Sequence, residues 1–225
     1  VYDGVYQEGD DFSAEPAKMP GYSKYRDING RDANNNLTGQ PDGKINSDDQ
    51  EIIGSANPDF TFGWVNDFRY KDFDLNVQIT GSYGNQMINC TRMELESMAE
   101  LKNTTTAYFD AWTPTHTDTD VPLAGSESQY IYSTRWLEDA SFLRVQNISL
   151  GYSLPSSVLN ILKISKCRFF ISVQNAFILT KYSGYDPEVT WNPAGTTTNT
   201  NIARGLDYDT YPRTRNYTMG INIIF

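Results

Sequence analysis

The segment NYTMGINIIF, Asn216 to Phe225, decides how the chain is read. In an extended strand successive side chains point to opposite faces. Tyr217, Met219, Ile221, Ile223 and Phe225 then share one face, and Asn216, Thr218, Gly220 and Asn222 share the other; Ile224 alone breaks the alternation. So apolar a face needs a cover. A soluble fold supplies a second layer, whereas a transmembrane β-barrel leaves its apolar side to lipid and its polar side to the lumen. Phe225 is the expected last outward-facing position of a closing strand, with no polar tail after it.

Working backwards, four more segments repeat the pattern. In FTFGWVNDFRY, residues 60–70, Phe60, Phe62, Trp64, Phe68 and Tyr70 oppose Thr61, Gly63, Asp67 and Arg69. After a tight turn near Lys71-Asp72 comes a second strand over 73–84, in which Phe73, Leu75, Val77, Ile79 and Tyr83 oppose Asp74, Asn76, Gln78, Thr80 and Ser82. Strict period two is the sign of a two-faced strand. In the strand-like stretch 137–153, with its strand over 142–153, Ile148, Leu150 and Tyr152 alternate while Leu143 and Val145 sit on the opposite parity, which predicts a bulge near Gln146-Asn147. Residues 167–180 place Phe169, Ile171, Val173, Phe177 and Leu179 on one face.

The connections alternate in length. Those at 70–72 and 154–165 are short, the second with room for one helical turn; those at 85–136 and 181–213 are long. Short turns at one end and long loops at the other mark outer-membrane barrels. With a periplasmic C-terminus, the five strands run down, up, down, up, down. Every long connection, and residues 1–56, is then extracellular. The division expected is a loop region over 1–56 and barrel strands with their loops over 57–225. Within the long loop, MINCTRMELESMAELK, Met87 to Lys102, has the spacing of a helix. Residues 190–201, TWNPAGTTTNTN, read as a polar loop tip.

Composition agrees. The 225 residues carry a formal net charge of −10, which argues against a nucleic-acid partner and against a polybasic membrane-surface mode. Mean hydropathy is −0.53, and no run approaches the ~18 apolar residues of a transmembrane helix. The N-terminus VYDGVYQEGDDF has neither the basic start nor the apolar core of a signal peptide, so the chain reads as the C-terminal piece of something longer. Cys90 and Cys167 have no metal-ligand spacing and fall in segments expected at opposite barrel ends, which argues against a disulfide.

One motif carries chemistry. Asp27-Ile28-Asn29-Gly30 opens a calcium-loop pattern, RDANNNLTGQP (Arg31 to Pro41) interrupts it, and Asp42-Gly43-Lys44-Ile45-Asn46-Ser47-Asp48-Asp49 resumes it. Without the insertion the string reads D-x-N-G-D-G-K-I-x-x-D-D. Calcium is a hard cation that takes oxygen ligands, a backbone carbonyl among them, and needs a glycine for the sharp turn. The expected ligands are Asp27, Asn29, Asp42, the Lys44 carbonyl and Asp49, with Asp48 in reserve; the alternative is a polar turn that binds nothing. No catalytic set is visible. His116 is the only histidine and lies in a Thr/Asp-rich loop, nothing resembles a nucleophile elbow, and no carboxylate pair stands out, so an enzyme is not expected. Trp112, Trp136 and Trp191 lie in or beside loops and could stack on sugars, although Trp136 reads better as an interfacial girdle residue. Arg213 and Arg215 read as lumen-facing or headgroup-edge residues.

The run KYRDING…PDGKINSDDQEIIGSANPDFTFGWVNDFRYKDFDLNVQITGSYGNQ resembles the C-terminal barrel region of SusC/RagA-type TonB-dependent transporters. So do RWLEDASFLRVQNISLGYSLP, RFFISVQNAFILTKYSGYDPEV and YPRTRNYTMGINIIF, in that order. The insertion Arg31 to Pro41 departs from the family's continuous segment. The resemblance implies a barrel of about 22 strands, of which this chain supplies the last five or so. It implies an N-terminal plug, a TonB-contacting part and a SusD-like surface lipoprotein, with uptake of glycans (oligosaccharides) or peptides across the lipid bilayer. It also implies that Tyr217, Met219, Ile221, Ile223 and Phe225 form the signal read by the barrel-assembly machinery. The alternative is a secreted, calcium-stabilised β-sandwich that binds carbohydrate, which would hide its apolar faces in one shared core.

Overall fold

The computed structural model describes residues 1–98, 103–126, 131–188, 204–208 and 210–225. Its strands are β1 (Tyr2–Val5), β2 (Ser23–Tyr25), β3 (Phe60–Tyr70), β4 (Phe73–Tyr83), β5 (Gln86–Asn89), β6 (Leu137–Asp139), β7 (Phe142–Ser153), β8 (Lys166–Thr180), β9 (Leu206–Asp207) and β10 (Asn216–Ile224). Two short helices join them, α1 (Cys90–Glu96) and α2 (Ser156–Leu162). The chain forms two compact units. One contains Val1–Gly54, Ile88–Leu137 and Leu206–Asp209; the other contains Ser55–Met87, Glu138–Gly205 and Thr210–Phe225.

The second unit is built on a five-stranded antiparallel sheet in the order β10-β8-β7-β4-β3. All five predicted strands are present, with ends within one residue of expectation. The register aligns like with like. Tyr70, Phe73, Tyr152, Phe169 and Ile221 form one row across the sheet, and Phe68, Leu75, Leu150, Ile171 and Met219 form another. Opposite residues of an antiparallel pair share a face, so the sheet has one apolar side. Asn66 is the exception, in a row otherwise made of Val77, Ile148, Val173 and Tyr217. The other side carries rows such as Asp67, Asn76, Ser149, Ser172 and Thr218.

The bulge is where the parity break placed it. Asn147 pairs with Gln174 and Val145 with Phe177, leaving Gln146 out of the ladder on one strand and Asn175 and Ala176 on the other. This returns Val145 and Leu143 to the apolar face. Asn175 takes a left-handed backbone, φ 51°, which asparagine tolerates, and its amide donates to the Thr214 carbonyl at 2.9 Å. Phe62, Trp64, Phe68, Tyr70, Ile171, Met219 and Ile221 are exposed. Among the described residues no second sheet of this unit closes over them, so the enclosed core that a sandwich needs is not formed here.

On the polar side Asp74 of β4 reaches across β7 to Arg168 of β8. The Arg168 fork donates from Nε at 2.9 Å and from Nη2 at 2.5 Å. The strand crossed presents Gly151 at that point. A Cβ there would meet Arg168 Nη2 at 2.3 Å and Asp74 Oδ1 at 2.5 Å, so glycine is what leaves room for the bridge.

The first unit is less regular. β1 pairs with β2, Tyr6 is buried and stacks on Phe12 with centroids 4.9 Å apart, and Trp112 packs over Gly21. A separate cluster gathers Ile88, Cys90, Met93 and Trp136. The helix expected over Met87 to Lys102 is therefore corrected. Gln86–Asn89 is a strand that pairs with β9, and the helix starts only at Cys90, capped by the Asn89 side chain accepting from Arg92 N. Cross-strand partners outweigh helical spacing at Met87 and Ile88. The predicted helix's last residues, from 99 to 102, lie outside the described residues.

Gly151→Ala is expected to cost about 1–3 kcal/mol by overpacking. The cost should largely vanish in an Arg168→Ala background, read as a double-mutant cycle on the unfolding midpoint of the folded protein.

Candidate functional site

Three features have chemistry to offer: the apolar sheet face, a buried ion network on the polar side, and the acidic loop.

The apolar face is banded. Tyr70, Phe73, Tyr152 and Phe169 line one end, where Phe73 and Tyr152 rings sit 4.7 Å apart. Phe60, Phe62 and Tyr83 mark the other, with Phe60 and Tyr83 stacked at 5.4 Å. Leu75, Val77, Ile79, Ile148, Leu150, Ile171 and Val173 lie between. Ten residues separate Phe60 from Tyr70, about 33 Å of strand at ~3.3 Å per residue. At the ~40° tilt of strands in transmembrane barrels, such a length spans about 25 Å, the height of their apolar band between the aromatic girdles.

Arg144 lies on the polar side of β7, in a row with Thr80 and Ile178. Its side chain and that of Asp186 are each 4% exposed, and Nη2 donates to Asp186 Oδ1 at 2.6 Å. Arg144 Nε sits 3.3 Å from Glu188 Oε2, close enough for attraction but outside hydrogen-bonding geometry. Arg213 completes the set, 3.1 Å from Glu188 and 3.9 Å from Asp186. The sequence expectation that Arg213 faces the lumen or a headgroup edge missed this pairing. The usable signal was Arg144 itself, the one charged residue of β7, because a buried charge needs a partner. Close to this network, Thr61, Thr80, Ser82, Gln146, Glu188 and Arg204 line a cavity of about 500 Å³.

The acidic loop splices the interrupted motif in space. The insertion folds outward as a hairpin: Arg31 bridges to Leu37, and Thr38 N donates to the Gly30 carbonyl at 2.9 Å. The chain thus returns to where it left, and a Cβ on Gly30 would lie 2.4 Å from Asp42 Cβ. Arg31 holds Asp48 through two bonds of 2.6 Å, which takes the reserve ligand out of the set. Asp27 accepts from Asp42 N and Gly43 N, at 3.2 and 2.6 Å. Asn29 Oδ1 accepts from Gly39 N at 2.7 Å, and Asp42 Oδ1 from Lys44 N at 3.0 Å. Asp49 accepts from Ile28 N, Asn29 N and Asn46 N at 2.7–3.0 Å and also touches Asp27. Burial opposes ionisation of Asp49, yet the amides of Asn46, Ile28 and Asn29 outweigh it and hold the carboxyl below its ordinary 3.8. The donor set is all hard oxygen, as calcium requires. Among the described residues, however, no three acidic, histidine or cysteine side chains meet as a metal group.

The remaining candidates resolve individually. Trp112 is buried, with its indole N–H on Gln7 Oε1 at 2.9 Å, so it offers no stacking face. Trp136 is no girdle residue: it is buried in the Ile88 cluster, with the Arg135 guanidinium 4.5 Å from its ring centroid. Trp191 lies outside the described residues. His116 is exposed in a turn with Thr113, and Arg215 Nε donates to the Asn175 carbonyl at 3.4 Å. Cys90 and Cys167 are both free and buried.

Two predictions follow from these contacts. Arg144→Met should cost about 3–5 kcal/mol, because Asp186 loses its buried partner and keeps only Arg213 at 3.9 Å; adding Asp186→Leu should recover much of it, read from the loss of the heat-modifiable folded form. Asp49 binds its proton more weakly folded than unfolded. Its contribution is therefore complete above pH 3.8 and is lost as pH falls through the lower folded value. At neutral pH Asp49→Asn should weaken the loop by roughly 1–3 kcal/mol, seen as faster hydrogen exchange at Ile28, Asn29 and Asn46.

No family model matches the chain. Individual relatives do. TonB-dependent receptor P3 of Formosa agariphila is 40% identical over 230 residues, covering all of this chain and 21% of the relative. TonB-dependent receptor SusC of Bacteroides thetaiotaomicron is 28% identical over 212 residues, covering 91% of this chain and 19% of SusC. Among solved structures, the RagAB peptide importer in its closed-closed state matches with a TM-score of 0.73 at 27% identity, over all of this chain and 22% of that one. Its open-open state gives 0.72 at 26%, with the same coverage. These relatives bear the names of receptors or importers, none an enzyme's, in keeping with the lack of a catalytic set in the sequence. The chain spans about a fifth of the length of the relatives it matches, and it belongs, as that segment, to the SusC/RagA-type TonB-dependent receptors.

Proposed function

We propose that this chain supplies five adjacent strands, the C-terminal ones, of a barrel of about 22 strands that imports nutrients across the outer membrane. The observation that carries the proposal is the apolar band, about 33 Å along the strand and edged by aromatic rows, on a sheet whose other face is polar. The polar face then lines the lumen, and the Arg144–Asp186–Glu188–Arg213 network stands inside it. Residues 1–56 and the connections 85–136 and 181–213 are extracellular; the gathering of Val1–Gly54 with Ile88–Leu137 in one compact unit supports that assignment. Transport is driven through TonB by parts of the protein beyond this segment, and a SusD-like lipoprotein covers the outer mouth. Peptides or oligosaccharides are the cargo, the first supported by the likeness to the RagAB peptide importer. On this reading the Tyr217, Met219, Ile221, Ile223 and Phe225 face serves assembly rather than cargo binding.

Calcium belongs to the same proposal. The ion is held by Asp27, Asn29, Asp42, the Lys44 carbonyl and Asp49, and it joins carboxylates that otherwise repel, Asp27 and Asp49 foremost. Support comes from the outward-folded insertion, which makes Gly30 and Asp42 neighbours. Calorimetry should show heat on calcium addition that Asp42→Ala abolishes; the absence of heat in the unmodified protein rules the ion out.

The membrane reading is tested face against face. Ile148→Arg places a charge in the middle of the band, at a cost of about 2–4 kcal/mol, and should sharply reduce the amount of full-length protein in the outer membrane. Ser149→Arg, one residue away on the polar face, should leave that amount nearly unchanged and alter uptake instead. Equal losses for the two variants would refute the assignment of faces.

A further inference from the structure

The short connection between β7 and β8 is not a plain turn. Leu154 N extends the ladder to the Cys167 carbonyl at 2.8 Å, and Ser165 N extends the next one to the Ile224 carbonyl at 2.7 Å. Helix α2 is held between these two points, at the end of the sheet that carries Tyr152 and Phe169. The β3–β4 turn lies at the same end, tied by Ser153 N to the Asp72 carbonyl at 2.8 Å.

The helix is amphipathic over its whole length. At about 100° per residue, Val158, Leu159, Ile161 and Leu162 fall on one side, and Ser156, Ser157, Asn160 and Lys163 fall on the other. The apolar side is not turned into the protein: Val158, Ile161 and Leu162 are 36%, 80% and 54% exposed. Their i, i+3, i+4 spacing makes one continuous stripe. Lys163 closes the helix in a left-handed conformation, φ 54°, and Lys166 follows at the start of β8. Lys71, at the neighbouring turn, lies 5.4 Å from the Tyr70 ring. Cations thus stand at this end of the sheet beside an aromatic row that already faces the apolar side.

We infer that α2 is an interfacial anchor. Its stripe of Val158, Ile161 and Leu162 lies in the boundary between headgroups and acyl chains of the leaflet at the short-turn end, with Lys163, Lys166 and Lys71 at the phosphate level. The occupant is lipid because the exposed stripe stands at the end of the sheet whose apolar face closes on Tyr152 and Phe169, with lysines on its flank. A short helix with an apolar side and a cationic flank is suited to lie in the interface plane rather than cross it, and long lysine side chains reach the headgroups from such a position. The inference rests on the membrane reading of the sheet and adds a second, in-plane contact with the bilayer.

Spin labels on single cysteines test it in the full-length protein, reconstituted in vesicles of phosphatidylethanolamine and phosphatidylglycerol. Ile161→Cys and Leu162→Cys report the stripe, Ser157→Cys and Asn160→Cys the polar side, and Ile171→Cys the sheet face. Oxygen collects in lipid and a nickel chelate stays in water. Labels at 161, 162 and 171 should collide more with oxygen, and those at 157 and 160 more with nickel. A lipid signal at 171 with a water signal at 161 overturns the anchor and leaves the barrel reading standing. Shielding of 161 from both probes means that protein covers the stripe, and also overturns it. A water signal at 171 removes the membrane reading itself, and the anchor with it.

Discussion

Every backbone N–H and C=O of a strand in hydrocarbon must find its partner in the next strand, because no water is there to replace it. This constraint orders the whole sheet. It demands long unbroken ladders, and β3 and β4 pair residue for residue over their full length. It also fixes which side chains share the apolar face, since a slip of one residue turns every side chain to the other face. The bulge at Gln146 shows how narrow the tolerance is. Leu143 and Val145 are out of phase with Ile148 in sequence, and the structure leaves Gln146 of β7 and Asn175 with Ala176 of β8 unpaired to bring them back.

The two faces solve different problems. On the apolar face contact is non-directional, and bulk matters more than position. Phe62 even lays its ring over Gly81, whose absent side chain would otherwise collide with it at 2.4 Å. On the polar face charges must be paired one by one. Asp74 and Arg168 cross a whole strand to meet, and Arg144 is met by Asp186 from beyond the end of β8. The glycines at 81 and 151 therefore do unlike things: one is covered by a ring, the other is crossed by an ion pair.

The five strands were legible because period two is local: each segment states its own faces without reference to its neighbours. The parity break at Leu143 and Val145 was legible for the same reason. What could not be read depends on contacts distant in sequence. Met87 and Ile88 have helical spacing but are taken by strand partners, one of them Leu206, far along the chain. Trp136 looked like an interfacial residue because nothing in its surroundings foretold the Cys90 and Met93 cluster that buries it. The Arg144–Asp186 pair joins residues that sequence separates by most of two strands. In the acidic loop the residue types were legible, and so was the interruption. The hydrogen bonds that turn Asp49 onto three backbone amides were not.

The insertion between Gly30 and Asp42 has a consequence for how this loop can change. Its ends meet, sealed by the Thr38 to Gly30 bond and by the Arg31 pairing with Leu37. A detour that starts and finishes at one point is insulated from the chain on either side. Lengthening such a detour costs only about 0.6 kcal/mol for each doubling, and no atom of Asp27, Asn29 or Asp49 has to move. Between Arg31 and Leu37, inside the contacts that Arg31 makes with Asp48 and Gly39 with Asn29, the surface has a port where length and sequence can vary while the acidic frame beneath stays fixed.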